Sequence, residues 1–349
     1  VCVSLSLSLS LSLSLSLSTF TFTPMLWWVG ALVVSWLTVR LAVWFWRNCC
    51  RSTSSLRSFR SGEGASWAVI TGATDGIGKA YAWGLARRGF SILLVGRNQD
   101  KLQQVSQSLQ QECGVRVSTF VLDFAHCQLQ DYRKLREHIE EDLLGGEDTA
   151  GQLMVLVNNV GIGMAGPHAL QAPHLFPMDP MEDLQIMLKV NVQAPVMVTQ
   201  QLVPLMRHRR NPREWGLVVN VGSLAGIVSP FLSMYGATKA FVNALSLNLG
   251  EELASQNIQV LTVKPGQVDT LLQQRLVGDP ANFLNCSPDR LVEDTFKCLS
   301  PWEWTRSHSP YWPHSILELL LHLLPEKWAV RVVRLALSWK RPVRYTNDS

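Results

Sequence analysis

Six short runs of nearly uninterrupted apolar residues, separated by stretches of helical periodicity, organise residues 66–266. They read SWAVITG, SILLVGR, VRVSTFVLD, LMVLVNN, GLVVNVGS and IQVLTVKPG, and helices are expected over 99–113, 128–143, 181–207 and 233–255 between them. A strand with one solvated face alternates apolar and polar residues, and these runs do not. Strands of that kind are buried on both sides, and a parallel sheet sandwiched between helix layers provides the burial. The chain is therefore expected to be α/β, a doubly wound parallel sheet with helices on both faces. In such sheets ligands bind beyond the carboxyl ends of the strands. Each run here ends in residues with chemistry in them: a Gly-rich loop, Arg97, Asp123, Asn158-Asn159, Ser223 and Pro265-Gly266.

The loop after the first run is TGATDGIG. A glycine-rich turn between a strand and a helix lets backbone N–H groups approach a pyrophosphate at the positive end of the helix. Gly72, Thr74, Asp75, Gly76, Ile77 and Gly78 are the candidate phosphate-side residues, and the fold is of Rossmann type. Further along, MYGATKAF places Tyr235 four residues before Lys239, on one face of a helix. A phenol with a reference pKa near ~10 is a poor proton donor at neutral pH, and a neighbouring ammonium is expected to stabilise its ionised form. Ser223 lies twelve residues earlier at the end of a run, placed to hydrogen-bond the same substrate oxygen.

With TGATDGIG, NNVG at 158–161, Asn191 in KVNVQ, Ser223 in NVGS, YGATK at 235–239 and PGQVDT at 265–270, the chain resembles the short-chain dehydrogenase/reductase family over roughly 66–275. Within it, the WAVITGATDGIGKAYA and LVNNVG segments, behind an apolar N-terminal run, are similar to a microsomal group. That group comprises the 17β-hydroxysteroid dehydrogenases of types 3 and 12, the very-long-chain 3-oxoacyl-CoA reductases and the 20β-hydroxysteroid dehydrogenases of type 2. The resemblance implies a catalytic set of Asn191, Ser223, Tyr235 and Lys239, with Asn191 holding a water that links Lys239 to solvent. It implies cofactor contacts from the loop residues above, from Asp123 to adenine, from Asn158, Asn159 and Gly161, from Tyr235 and Lys239, and from Pro265, Val268 and Thr270. Gly96 and Arg97 stand where NAD-preferring relatives carry an acidic residue, and a guanidinium suits a 2′-phosphate. The expected cofactor is NADPH (NADP+), although Asp75 occupies a place where many NADP-binding relatives are basic. Residues 271–286 are the family's mobile substrate loop.

The flanks read differently. Residues 4–18 are a strict Ser-Leu alternation, as a CT dinucleotide repeat read in triplets would encode, so residues 1–24 are expected to be leader sequence upstream of a start at Met25. LWWVGALVVSWLTVRLAVWFW, residues 26–46, is long enough as a helix to span a bilayer core of ~30 Å. Tryptophans sit at both of its ends, and Arg47, Arg51, Arg57 and Arg60 follow it, so the remainder is expected on the cytosolic side of the endoplasmic reticulum membrane. The expected organisation is a transmembrane anchor at 25–47, a basic linker at 48–65, a catalytic domain at 66–300 and C-terminal helices at 301–349. The last of these, WAVRVVRLALSW, is basic and amphipathic and suits the membrane surface or a homodimer partner.

A net charge of +4 gives no case for nucleic acid, and the seven cysteines, with no Cys-x-x-Cys or metal-ligand spacing, give no metal site. The function expected is a membrane-anchored, NADPH-dependent ketone reductase of the 17β- or 20β-hydroxysteroid type, with Tyr235 as general acid and a small lipid as substrate. The C-terminal RYTNDS lacks the lysine-rich retrieval signal of elongation-type relatives, which tilts the expectation toward steroids. Reduction of a 3-oxoacyl-CoA in fatty-acid elongation is the alternative in the same class; CoA phosphates would then need cations such as Arg275, Arg290 or Lys297. A catalytically silent cofactor-binding relative is the alternative in another class.

Overall fold

The computed structural model describes residues 27–39, 41–42, 45, 56–62, 64–145, 151–163, 176–207, 214–272, 284–299 and 305–340. The chain divides into two compact units, Val1–Ser52 and Thr53–Ser349. In the first unit residues 27–39 are helical, with Trp27, Trp28, Leu32 and Val34 exposed. Among the described residues no helix is long and apolar enough to cross a membrane. Residues 25, 26, 40, 43, 44, 46 and 47 of the expected span lie outside the described residues, as does the whole Ser-Leu tract.

The second unit is built on seven parallel strands: β1 (Ser66–Thr71), β2 (Ser91–Gly96), β3 (Val117–Val121), β4 (Gln152–Asn158), β5 (Gly216–Val221), β6 (Ile258–Val263) and β7 (Thr305–His308). Their order in the sheet is β3-β2-β1-β4-β5-β6-β7, with the switch of direction between β1 and β4. The helices are α1 (Gly76–Ala86), α2 (Gln99–Cys113), α3 (Leu129–His138), α4 (Met181–Leu188), α5 (Ala194–Arg207), α6 (Ser233–Ala254), α7 (Pro288–Cys298), α8 (Trp312–Leu323) and α9 (Glu326–Lys340). Successive residues of a strand point to opposite faces, and both faces of this sheet are roofed. Ala68 and Ile70 of β1 join one core with Leu85, Ile92, Leu94 and Val219, while Trp67 and Val69 join a second with Leu93, Leu156, Leu202 and Val218. The doubly wound parallel sheet expected from the apolar runs is the architecture observed. Truncating a core residue such as Leu93, which is fully buried, to alanine costs about 2–5 kcal/mol.

The body extends past the limits expected of it at both ends. Before residue 66, Leu56 and Phe59 are buried in the first core, and the Trp215 N–H donates to the Ser58 carbonyl at 3.2 Å. The expected linker is thus folded onto the sheet from residue 56 onward. Beyond 300, β7 pairs in parallel with β6 from Val260↔Thr305 to Val263↔His308. Its sequence, TRSH, has no apolar run and gave no strand signal. α7 also went unassigned, although Ser287 caps it, accepting from the Arg290 N–H, and Pro288 occupies its first turn. α7 packs on α1 where Gly84 leaves room: a Cβ there would stand 2.7 Å from the Phe296 ring.

Candidate active site

The turn from β1 into α1 is dictated by its glycines. Gly72 and Gly76 have φ of 65° and 51°, a region costly for residues with a side chain. The Gly72 N–H donates to the Val95 carbonyl at 2.8 Å, tying the loop to β2. Gly78 is there for closeness: a Cβ would lie 2.2 Å from the Gly72 carbonyl oxygen and 2.4 Å from Asn159 Nδ2. Asp75 is the N-cap of α1, its Oδ1 accepting from the Gly76 N–H at 2.7 Å. Its carboxylate therefore neutralises part of the helix N-terminus, which accounts for an acidic residue in a phosphate-type loop.

A cavity of about 420 Å³ opens beyond the carboxyl ends of β1 to β4. Of the residues expected to contact the cofactor, Gly72, Thr74, Asp75, Gly76, Ile77, Arg97, Asp123, Asn159, Gly161 and Thr270 line it. Asn98 and Lys101 join Arg97 at one end, and Ile162, Ile186, Val190, Leu271 and Leu272 form an apolar part of the lining. Asn98, Lys101, Ile162, Ile186 and Val190 were not singled out in the sequence, whereas Leu271 and Leu272 open the expected substrate loop. Asn98 had a usable signal, because a residue capping α2 (its Oδ1 accepts from the Lys101 N–H at 2.8 Å) sits where a helix start meets a strand end. The Asp123 carboxyl is opposed in two directions: burial raises its pKa, but bonds from His126 Nδ1 at 2.9 Å and the Ala125 N–H, with Arg97 nearby, hold it below its ordinary value.

Six expected contacts, Gly78, Asn158, Tyr235, Lys239, Pro265 and Val268, are not among the residues lining this cavity. For Asn158 the reason is strand alternation. Its Nδ2 donates to Thr199 Oγ1 and Asn220 Oδ1, both at 2.8 Å, and Asn220 in turn donates to Ser246 Oγ at 2.8 Å. Asn158 is thus a buried link between β4, β5, α5 and α6. Its neighbour Asn159 takes the loop side, donating from Nδ2 to the carbonyls of Thr71 and Gly72 at 3.0 and 3.1 Å. Pro265 and Val268 act through the backbone: the Leu224 N–H donates to the Pro265 carbonyl at 3.0 Å, and Val268 bridges to Cys286.

The four expected catalytic residues converge. Ser223, at the end of β5, and Tyr235 and Lys239, in α6, are all buried, and Ser223 hydrogen-bonds Tyr235. Lys239 Nζ is 5.8 Å from the Tyr235 ring centre and donates to the Val221 carbonyl at 2.9 Å. It faces Gly161 in the cavity wall so closely that a Cβ there would come within 3.1 Å of the ammonium. Asn191 lies in a π-helical turn, Lys189–Gln193, between α4 and α5. Its Oδ1 accepts from the Ile162 N–H and its Nδ2 donates to the Ile162 carbonyl, both at 2.8 Å, and to Thr238 Oγ1 at 3.0 Å. Thr238 donates to the Tyr235 carbonyl at 2.8 Å, so this asparagine joins the loop after β4 to the catalytic helix.

The electrostatics differ from the expectation in one respect. Burial raises the Tyr235 pKa, and the Ser223 bond offsets this only in part. Burial also lowers Lys239 to about 8. The lysine thus leaves Tyr235 a protonated phenol at neutral pH, which suits a donor of protons. Among the described residues no cluster of three or more His, Cys, Asp or Glu could hold a metal ion.

Comparison with known proteins agrees with this geometry. A family profile described as short chain dehydrogenase matches residues 66–280. The chain is 35% identical over 307 residues to "Very-long-chain 3-oxoacyl-CoA reductase-B" of Danio rerio, covering 86% of this chain and 90% of that protein. It is 37% identical over 252 residues to "Very-long-chain 3-oxoacyl-CoA reductase" of Mus musculus, covering 71% and 73%. Among solved structures, a "Short-chain dehydrogenase from Sphingobium yanoikuyae in complex with NADPH" superimposes with a TM-score of 0.58 at 26% identity, covering 81% of this chain and all of that one. The chain belongs to the short-chain dehydrogenase family of oxidoreductases.

Proposed function

We propose that this protein is an NADPH-dependent reductase of a lipid ketone, anchored at the endoplasmic reticulum membrane with its catalytic body in the cytosol. The observation that carries the reading is the meeting of Ser223, Tyr235 and Lys239 behind Gly161, at the wall of a cavity that begins at a phosphate-type loop. The residues fit the cofactor. The N–H groups of the loop and the start of α1 would hold a pyrophosphate, Arg97 and Lys101 would meet a 2′-phosphate, and Asp123 lines the same cavity. A bound NADPH would supply the hydride. Ser223 then polarises the carbonyl oxygen, Tyr235 donates a proton to it, and the Lys239 ammonium steadies the phenolate left behind. Both polar atoms of the Asn191 side chain are occupied, which leaves a water-holding role to its backbone carbonyl.

The names of the relatives favour a long-chain 3-oxoacyl-CoA as substrate. A keto-steroid is the second reading, and a specific arrangement favours it. Of the three cations expected to meet the phosphates of CoA, Arg275 lies outside the described residues, and Arg290 and Lys297 both clamp Asp294, at 2.7 and 2.9 Å. The apolar lining of Ile162, Ile186, Val190, Leu271 and Leu272 suits either. The anchor reading is supported by the exposed apolar side chains of the helix at 27–39 and by the basic residues that follow it. The test is turnover by the full chain in detergent with NADPH, using a long-chain 3-oxoacyl-CoA, a 17-ketosteroid and a 20-ketosteroid in parallel. Turnover of one class assigns the substrate; NADPH binding with no turnover of any would overturn the reductase reading. Resistance of the chain to extraction from microsomes by alkaline carbonate tests the anchor.

A further inference from the structure

We infer that His314, in the first turn of α8, is a positioning residue that ties the residues after β6 to those before α7, and through them holds the cofactor side of the site. The imidazole is completely buried. Its Nδ1 accepts from the Gly266 N–H at 3.2 Å and its Nε2 donates to the Leu284 carbonyl at 2.8 Å. One ring therefore joins the first residues after β6 to the last before α7. These partners require the neutral tautomer with hydrogen on Nε2, and burial holds the His314 pKa below its ordinary value, in keeping with that form.

The packing is as specific as the hydrogen bonds. A Cβ on Gly266 would stand 2.7 Å from the imidazole Cδ2, and the Tyr311 ring meets His314 edge-on with centres 4.9 Å apart. One turn further along α8, Glu318 pairs with Lys264 and accepts from the Ser309 N–H at 2.9 Å. The helix is thereby held against the end of β6, so the ring has a fixed base. Within the loop, the Asp269 N–H donates to the Cys286 carbonyl at 2.9 Å and the Cys286 N–H to the Gln267 carbonyl at 3.0 Å. The neck of the loop is thus closed by two backbone bonds and one side chain.

What the neck holds is functional. The Pro265 carbonyl accepts from Ser223 Oγ at 3.4 Å, and Thr270 touches α1, its Cγ2 lying 2.9 Å from where a Cβ of Gly76 would be. The Gly266 limb of the staple therefore bears on the cofactor side, while the Leu284 limb anchors the ring to the residues before α7. This rests on the function proposed above.

Two conservative variants separate the limbs. In His314→Asn the amide oxygen takes the place of Nδ1 and keeps an acceptor for Gly266, but nothing reaches Leu284. In His314→Gln the amide nitrogen takes the place of Nε2 and keeps the donor to Leu284, leaving the Gly266 N–H without an acceptor. One buried backbone group left unpaired corresponds to about a tenfold effect. His314→Gln is expected to raise the KM for NADPH about tenfold with the substrate KM near wild type. His314→Asn, which keeps the acceptor for Gly266, is expected to leave the NADPH KM near wild type.

Equal effects of the two variants on the NADPH constant, or no effect of His314→Gln on it, would overturn the inference, as would a fall in thermal stability with every constant unchanged. NADPH affinity measured by energy transfer from tryptophan reads the Gly266 limb even where no ketone is turned over, so failure of the substrate reading is distinguishable. A double-mutant cycle of Gly266→Ala with His314→Ala, read by the same affinity, covers variants that fold poorly. Non-additive effects are expected, and additive ones refute the contact.

Discussion

Lys239 gives a prediction with a number attached. The ammonium is 5% exposed, and burial alone lowers its pKa to about 8. The sign follows directly: the charged form is lost as pH rises through that value. About nine-tenths of the protein carries the charge at pH 7 and about one-tenth at pH 9, a loss of roughly tenfold over two pH units. Because kcat/KM reports groups of the free enzyme, its profile for NADPH-dependent ketone reduction should be level near neutrality and fall with unit slope above pH 8. Tyr235 does not confuse the assignment. Its pKa is raised, not lowered, so it stays a protonated donor through the same window. The assay is the initial rate of NADPH oxidation at limiting substrate from pH 6 to 10, for wild type and for Lys239→Met, which keeps the length of the side chain without its charge. The variant should be slow and lack the limb. A wild-type profile level to pH 10, or a limb near pH 8 that survives in Lys239→Met, would refute the assignment.

Tyr235→Phe removes the proton donor and should lower kcat at least about a hundredfold, the scale of a general acid, while NADPH still binds with near wild-type affinity in a fluorescence titration. Arg97→Ala should raise the KM for NADPH far more than that for NADH, by roughly tenfold or more for one lost charge-assisted phosphate contact; equal effects in steady-state kinetics would remove Arg97 from the 2′-phosphate site. Asn158→Ala deletes two buried hydrogen bonds and strands Asn220 Oδ1, so chemical denaturation should show a loss of about 1–3 kcal/mol. Cofactor affinity in the folded fraction should be unchanged, in contrast to a residue that touched the dinucleotide.

The strands that build the site were legible because a buried parallel strand leaves an apolar run, and β1, β2, β4, β5 and β6 each do. β7 was not. Four residues, TRSH, form an edge strand by backbone pairing with β6 alone, and no side-chain pattern records that. The catalytic set was legible for a similar reason: Tyr235 and Lys239 lie one helical turn apart, so their spacing carries their geometry. Asn158 was misread because two adjacent asparagines look alike in a sequence, whereas the pleat sends them to opposite surroundings. His314 gave no signal, since both its partners are backbone groups distant in the chain. The pKa order was also beyond the sequence, which records that Tyr235 and Lys239 are neighbours but not that both are buried.

The late position of β7 and α8 bears on how the enzyme is made. The Gly-rich loop and the residues of α6 leave the ribosome early, but Lys264 and Gly266 gain Glu318 and His314 only after some fifty further residues have been synthesised. Non-local pairing of this kind is slow, and domains generally fold as units during translation. A nascent chain halted before residue 314 would already carry its tyrosine and its dinucleotide loop and still lack the clasp behind them, so competence should arrive only once α8 has been made.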